Sequence, residues 1–236
     1  MGISKGDLSA CEAGRPAAGV VFDLDGVLVA TDGLHAEAWR VVAQEQGIEL
    51  DPTWADRCRG LDRMSSLDIV LEGAKRSYSV EEKRALADRK NECYRGMLKD
   101  LSPADVGHGV VDLLIALRGR GVKLAVASSS RNARMILERT GLTERFDAVV
   151  DGDDVERPKP DPGGFLLAAK RLKLDARRCV VVEDAAAGVQ AARAAGMAVF
   201  GIGSAERLAG ADGLAARLGD VGVETLLAVV SSRLEP

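Results

Sequence analysis

Two aspartates two residues apart, Asp23 and Asp25, interrupt the run Val20-Val21-Phe22-Asp23-Leu24-Asp25-Gly26-Val27-Leu28-Val29. The run is apolar and rich in β-branched residues and reads as a buried strand, along which residues i and i+2 face the same side. A buried strand has no use for two carboxylates on one face unless its end opens into a site. Placed close together they repel and desolvate each other unless a cation sits between or beside them. The pair therefore points to a Mg²⁺ site with one carboxylate left free to react. Three other polar groups follow: the turn Ser128-Ser129-Ser130-Arg131-Asn132, Lys159 in Arg157-Pro158-Lys159-Pro160-Asp161-Pro162, and Glu183-Asp184. Carboxylates supply oxygen ligands for Mg²⁺, which commonly shares its shell with phosphate and water. Serine hydroxyls and N–H groups opening a helix suit anionic oxygens. Taken singly, the serines read as a helix N-cap cluster, Lys159 as a solvated loop lysine and Glu183-Asp184 as a cap on the next helix. No GxxxxGK[ST] or GxGxxG occurs, so nucleotide-loop readings lack their motif.

The elements that position these residues give them joint weight. Strands are predicted at residues 123–127, 146–150, 179–182 and 198–202, separated by helices at 110–118, 132–140, 162–172 and 185–195, with stops at Gly121, Gly141 and Gly196. Strands joined through single helices pair in parallel with right-handed crossovers. The fold class is α/β: a doubly wound parallel-sheet (Rossmann-like) core, whose ligands bind beyond the carboxyl ends of the strands. Every polar group named above lies at such an end or in a loop that reaches that face. Residues 32–101 break the alternation. They are charged and carry amphipathic helical spacing at Trp39, Val42 and Ala43, at Leu67, Val70 and Leu71, and at Leu86 and Tyr94. They read as an inserted α-helical cap domain. Residues 17–31 and 102–236 then form the catalytic core, 1–16 a flexible N-terminal tail, and 223–230 a terminal packing helix.

Bulk composition removes several classes. A net charge of −4 leaves no basic field for nucleic acid or an anionic membrane, and 3% aromatic residues disfavour a base-stacking platform. Any phosphate must be drawn by local cations and a metal. Cys11, Cys58, Cys93 and Cys179 show no CxxC pairing and read as reduced thiols. No apolar run reaches membrane-spanning length and no heptad seam is visible. The expectation is a cytoplasmic monomer whose partners are small-molecule sugar phosphates, with no nucleic acid and no membrane.

In this order, Asp23-Leu24-Asp25-Gly26-Val27, the Ser128 turn, Lys159 and Glu183-Asp184 resemble the haloacid dehalogenase-like phosphotransferases, over residues 19–226. Gly60-Leu61-Asp62-Arg63, Lys90-Asn91-Glu92-Cys93-Tyr94, Leu101-Ser102-Pro103-Ala104-Asp105-Val106 and Gly201-Ile202-Gly203 narrow the resemblance to the β-phosphoglucomutase family. That resemblance implies Asp23 as a nucleophile forming an aspartyl phosphate and Asp25 as the general acid/base. Thr31 and His35 would lie at the cap hinge and beside the acid/base. Mg²⁺ would be held by Asp23, Asp184 and the Asp25 carbonyl, supported by Glu183. Ser128 and Lys159 would bind the transferring phosphoryl group. Arg63, with Gly60, Ser130, Arg131 and Asn132, would hold the other phosphate, and Lys90 would reach the sugar. Trp39 and Tyr94 are expected in the cap core and His108 at the surface. Two positions depart from the family pattern. Ala30 replaces an aspartate, and Asp62 replaces a small hydroxyl residue, putting a carboxylate that would compete with an anionic ligand beside Arg63. The implied reaction interconverts β-glucose 1-phosphate and glucose 6-phosphate through a 1,6-bisphosphate. A Mg²⁺-dependent sugar-phosphate phosphatase is the alternative, and a non-catalytic sugar-phosphate sensor would be marked by loss of the acidic residues, all of which are present.

Overall fold

The computed structural model describes residues 18–234, so the expected N-terminal tail and Cys11 lie outside the described residues. Among these, six strands form one parallel sheet in the order β3-β2-β1-β4-β5-β6. They are β1 Gly19–Phe22, β2 Lys123–Ala127, β3 Ala148–Val150, β4 Cys179–Glu183, β5 Ala198–Ile202 and β6 Gly213–Ala215. The chain runs outward from β1 to β3 and then returns to lay β4 on the other side of β1. This reversal opens a crevice at the carboxyl ends of β1 and β4, where doubly wound sheets bind ligands.

Alternate strand residues feed two cores. Val20, Phe22, Leu124, Val126, Val180 and Val182 pack on one face. Val21, Ala125, Ala127, Cys179 and Val181 pack on the other. Both faces are covered, which is why the strands read as continuous apolar runs. The covering helices are α5 Val110–Gly119, α6 Ala133–Arg139, α7 Gly163–Leu172, α8 Ala186–Ala194 and α9 Val223–Leu234. None of the helices described is long and apolar enough to cross a membrane.

Between β1 and β2 the chain inserts the helical cap: α1 Asp32–Glu45, α2 Trp54–Cys58, α3 Arg63–Val70 and α4 Val80–Met97. Trp39, Val42, Ala43, Trp54, Leu67, Val70 and Leu86 form its own hydrophobic cluster. Ala38 and Tyr94 instead join the core cluster, so α1 and α4 carry the cap against the sheet. A capping box at Ser79 and Glu82 starts α4.

One expectation is corrected. The first strand ends at Phe22, and Asp25 stands beyond it in a bridge to Val29, so the two aspartates lie past the strand's end, where both line one cavity. Gly26, at φ +81°, follows Asp25 and donates its N–H to the Val29 carbonyl at 2.9 Å, closing the turn. A left-handed glycine here turns the chain as soon as it leaves the sheet. Strand β6 has no signal in the sequence, because Gly213-Leu214-Ala215 is too short to show a period.

Candidate active site

Asp23 follows the last residue of β1, and its N–H bonds the Val182 carbonyl of β4 at 2.9 Å, which pins it to the crevice. Lys159, from the loop before α7, donates to Asp23 Oδ1 at 2.5 Å, to Glu183 Oε1 at 2.7 Å and to the Ala127 carbonyl at 3.2 Å. Asp23, Lys159 and Glu183 are all buried. Burial pushes the Asp23 carboxyl well above its usual range; Lys159 opposes this, while Glu183, Asp25 and Asp184 add to it. Burial also acts against the Lys159 charge, but the two carboxylates outweigh it and keep the ammonium protonated. Glu183 Oε2 accepts the backbone N–H groups of Asp184 and Ala185, both at 2.8 Å, and so ties the end of β4 to the start of α8.

Asp25 faces a different set of partners. Thr31 donates to its Oδ1, Tyr94 Oη lies 3.3 Å away, His35 Nε2 faces it at 3.4 Å, and Ser128 Oγ donates to Oδ2 at 3.3 Å. Burial alone would raise this carboxyl, but His35, Thr31 and Tyr94 prevail and bring it down to about 2. Thr31 stands at the helix N-cap of α1 yet makes no side-chain cap bond; its hydroxyl is spent on Asp25. Behind His35, the Lys90 ammonium lies 2.7 Å from Nδ1, which leaves Nε2–H directed at Asp25. Lys90 is 3% exposed, and burial, reinforced by the Arg63 charge, pushes it down to about 7. The chain Lys90–His35–Asp25 thus runs from cap to core.

A cavity of about 800 Å³ separates these groups from the cap residues expected to hold a second phosphate. Arg63 Nη2 donates to Asn91 Oδ1 at 2.8 Å, and Asn132 Nδ2 donates to the same oxygen at 2.9 Å. Ser129 Oγ donates to the Gly60 carbonyl at 3.1 Å, so the cap loop rests on the serine turn. Gly60 has φ +72°, and a Cβ there would lie 2.5 Å from the Ala185 Cβ, so the close approach requires glycine. Ser130 Oγ accepts the Asn132 N–H. Arg131 lines the cavity, but its guanidinium pairs with Asp153 at 3.2 Å and is largely exposed. The structure therefore brings Arg63 and Asn132 together and leaves Arg131 at the rim. Asp62 lines the same cavity as Arg63, and its carboxylate has a structural task there. Its carboxylate accepts the Met64 and Ser65 N–H groups as the helix N-cap of α3.

Sequence reasoning gave no part in the site to Asn91, the Tyr94 hydroxyl or Arg59. Tyr94, expected in the cap core, is buried instead in the cluster that packs on the sheet, and it stacks on His35 with ring centroids 3.9 Å apart. Its position four residues after Lys90, on the same helical face, was the available signal. Arg59 Nη1 donates to Asp184 Oδ2 at 2.9 Å and to the Asp32 carboxylate.

Among the described residues no three His, Cys, Asp or Glu side chains converge as a ready metal cage. Lys159 stands between Asp23 and Glu183, and Arg59 stands on Asp184. The donor chemistry still fits Mg²⁺, which takes hard oxygen ligands and needs only one or two carboxylates beside substrate phosphate and water. Asp184 is pushed up to about 7, first by burial and then by Glu183 and Asp32, with Arg59 opposing.

A parallel α/β sheet with an inserted helical cap, and an aspartate–lysine–acidic-pair cluster at its switch point, defines a phosphoryl-transferring or phosphate-hydrolysing enzyme. The chain belongs to the haloacid dehalogenase-like hydrolase family, whose model matches residues 17–196. A β-phosphoglucomutase of Bacillus subtilis is 38% identical over 209 residues, covering 88% of this chain and 92% of that protein. A fructose-1-phosphate phosphatase of Escherichia coli is 37% identical over 192 residues, covering 76% and 93%. The crystal structure of a β-phosphoglucomutase from Clostridium difficile superposes with a TM-score of 0.88 at 32% identity, covering 94% of this chain and all of that one.

Proposed function

We propose that this chain is a Mg²⁺-dependent phosphomutase interconverting β-D-glucose 1-phosphate and D-glucose 6-phosphate through a bound 1,6-bisphosphate. The observation that carries this reading is the pair of anion-binding ends on one cavity: Asp23, Ser128 and Lys159 at one end, Arg63 with Asn91 and Asn132 at the other. A bisphosphate that turns over in both orientations needs both. The 800 Å³ cavity lies within the range that small ligands occupy. The 38% identical β-phosphoglucomutase supports the same reading.

In this mechanism Asp23 already carries a phosphoryl group when β-glucose 1-phosphate binds. Ionised Asp25 takes the proton of the 6-hydroxyl, whose oxygen attacks the phosphorus and frees the Asp23 carboxylate, giving the 1,6-bisphosphate. After the bisphosphate reorients, Asp23 attacks the 1-phosphoryl group and re-forms the aspartyl phosphate, while Asp25 returns its proton to the leaving C1 oxygen and glucose 6-phosphate departs. The contacts from His35, Thr31 and Tyr94 favour the base form of Asp25. Lys159 and Ser128 stabilise charge on the transferring oxygens. Arg63 grips the distant phosphate, for which its planar fork is suited. Mg²⁺, held by Asp23, Asp184 and the Asp25 carbonyl, would neutralise phosphoryl charge as a Lewis acid. The cap carries Tyr94, His35 and Lys90 onto Asp25, and it protects the aspartyl phosphate by excluding water.

The phosphatase reading, in which water accepts the phosphoryl group, is favoured by the 37% identical fructose-1-phosphate phosphatase. Both readings require Asp23 to be phosphorylated. Acid quenching after brief exposure to the 1,6-bisphosphate, followed by peptide mass spectrometry, should find one phosphoryl group on the Asp23 peptide and none in Asp23→Asn. Unmodified wild type, with turnover retained in Asp23→Asn, would overturn the assignment.

A further inference from the structure

Arg59 leaves the cap just after α2 and crosses to the core, where one guanidinium nitrogen serves two carboxylates from different parts of the chain. Asp184 follows the end of β4 in the core; Asp32 is the first residue of α1 in the cap. Arg59 Nη1 lies 2.9 Å from Asp184 Oδ2 and also donates to Asp32. A Cβ built on Gly26 would stand 2.6 Å from Asp184 Oδ2 and 2.7 Å from Asp32 Oδ2, so the two oxygens crowd one small space. Two carboxylates in such a space repel unless a cation joins them. Arg59 is that cation, but it is incompletely satisfied, because its Nε is buried without a hydrogen-bond partner. A buried unpaired donor marks an arrangement that withdrawal of the side chain would relieve.

We propose that Arg59 is a positioning residue that stands in for the divalent cation at Asp184. It holds the cap to the core while the metal is away and yields the carboxylate when the metal arrives. The inference rests on the reading of Asp184 as a metal ligand. Once Asp184 is taken, the Arg59–Asp32 pair survives inside the cap, but the ionic tie to the core is gone. Metal loading therefore loosens the cap at residues 54–62, next to the Gly60 loop that rests on the serine turn. The competition is reciprocal: whatever holds Arg59 on Asp184 lowers metal affinity by the same factor.

The test uses the full chain with Mg²⁺ alone and no substrate, read by amide hydrogen exchange and by calorimetric metal titration. In the wild type, Mg²⁺ should speed exchange across residues 54–62. In Arg59→Ala that segment should exchange fast from the start and be unaffected by metal, and Mg²⁺ should bind more tightly by roughly fivefold, the low end of site-to-site coupling. Arg59→Lys, which keeps the charge, should restore part of the metal response. Removing a nearby positive charge tightens metal binding by itself, so exchange in the wild type decides the matter. Mg²⁺ that binds the wild type yet leaves residues 54–62 unchanged or slows them overturns the inference alone. Asp184→Asn separates the two levels. If it binds Mg²⁺ as well as the wild type, the ligand assignment fails and the inference falls with it.

Discussion

A single methyl group at residue 188 probes how Glu183 and Lys159 are held. Gly188 lies in α8, and a Cβ there would stand 1.8 Å from Glu183 Oε1 and 1.9 Å from its Cδ. To reach ordinary contact near 3.5 Å, Oε1 would have to retreat by roughly 1.7 Å. That breaks the 2.7 Å bond from Lys159, and moving Cδ also breaks at least one of the two 2.8 Å bonds from the Asp184 and Ala185 N–H groups. Two hydrogen bonds to a charged group at ~1.5–3 kcal/mol each, less ~1 kcal/mol gained from alanine in a helix, leave a loss of roughly 2–5 kcal/mol. Lys159 then keeps Asp23 as its one carboxylate partner beside the Ala127 carbonyl, which ties up the proposed nucleophile, so turnover should fall at least about tenfold, the equivalent of 1.4 kcal/mol at the barrier. Urea denaturation and steady-state turnover of Gly188→Ala read the two effects. Gly96→Ala is the control, since Gly96 lies in α4 with nothing near its missing Cβ and should be neutral or gain roughly 0.4–1 kcal/mol. A Gly188→Ala protein within ~1 kcal/mol of the wild type and fully active would refute this account of the Glu183 cradle.

Arg63→Ala removes the proposed grip on the distant phosphate. Mutase kcat/KM should drop by roughly 30-fold or more, the low end for truncating one partner of a buried charged pair, while hydrolysis of a small aryl phosphate changes little. Equal losses in both assays would argue against the distant-phosphate role. Lys90 makes a pH prediction whose sign follows from its depressed folded pKa of about 7 against an ordinary 10.5. Between those values the unfolded chain binds the proton and the native chain releases it, so this contribution is full above 10.5 and is lost as pH falls through about 7. Stability of the wild type relative to Lys90→Met should therefore rise between pH 7 and 9, at up to about 1.4 kcal/mol per pH unit. Parallel denaturation profiles for the two proteins would show that the buried amine does not titrate there.

The sheet was readable because each buried strand is a continuous apolar run ending in a polar group: Ala125-Val126-Ala127 before Ser128, Val180-Val181-Val182 before Glu183. Core residues of the site sit at those ends, where sequence position and spatial position coincide. Asp25 shows the limit of the period-2 rule. One residue past it, the left-handed Gly26 bends the chain, and the two aspartates acquire separate partners. On the cap side, spacing carried less. Arg59, Asn91 and the Tyr94 hydroxyl come near the core only because α1 and α4 pack on the sheet, and that packing has no local signature. The charge of Asp62 is visible in the sequence, whereas the backbone N–H groups that it caps are not.

The central claim, that phosphoryl groups pass between sugar positions and not to water, is tested most directly by following two products at once. The purified protein is incubated with Mg²⁺, β-glucose 1-phosphate and trace 1,6-bisphosphate, and glucose 6-phosphate and free phosphate are measured over the same time course. The account predicts glucose 6-phosphate accumulating well ahead of free phosphate. Free phosphate released in step with substrate loss, without glucose 6-phosphate, would contradict it and leave the phosphatase.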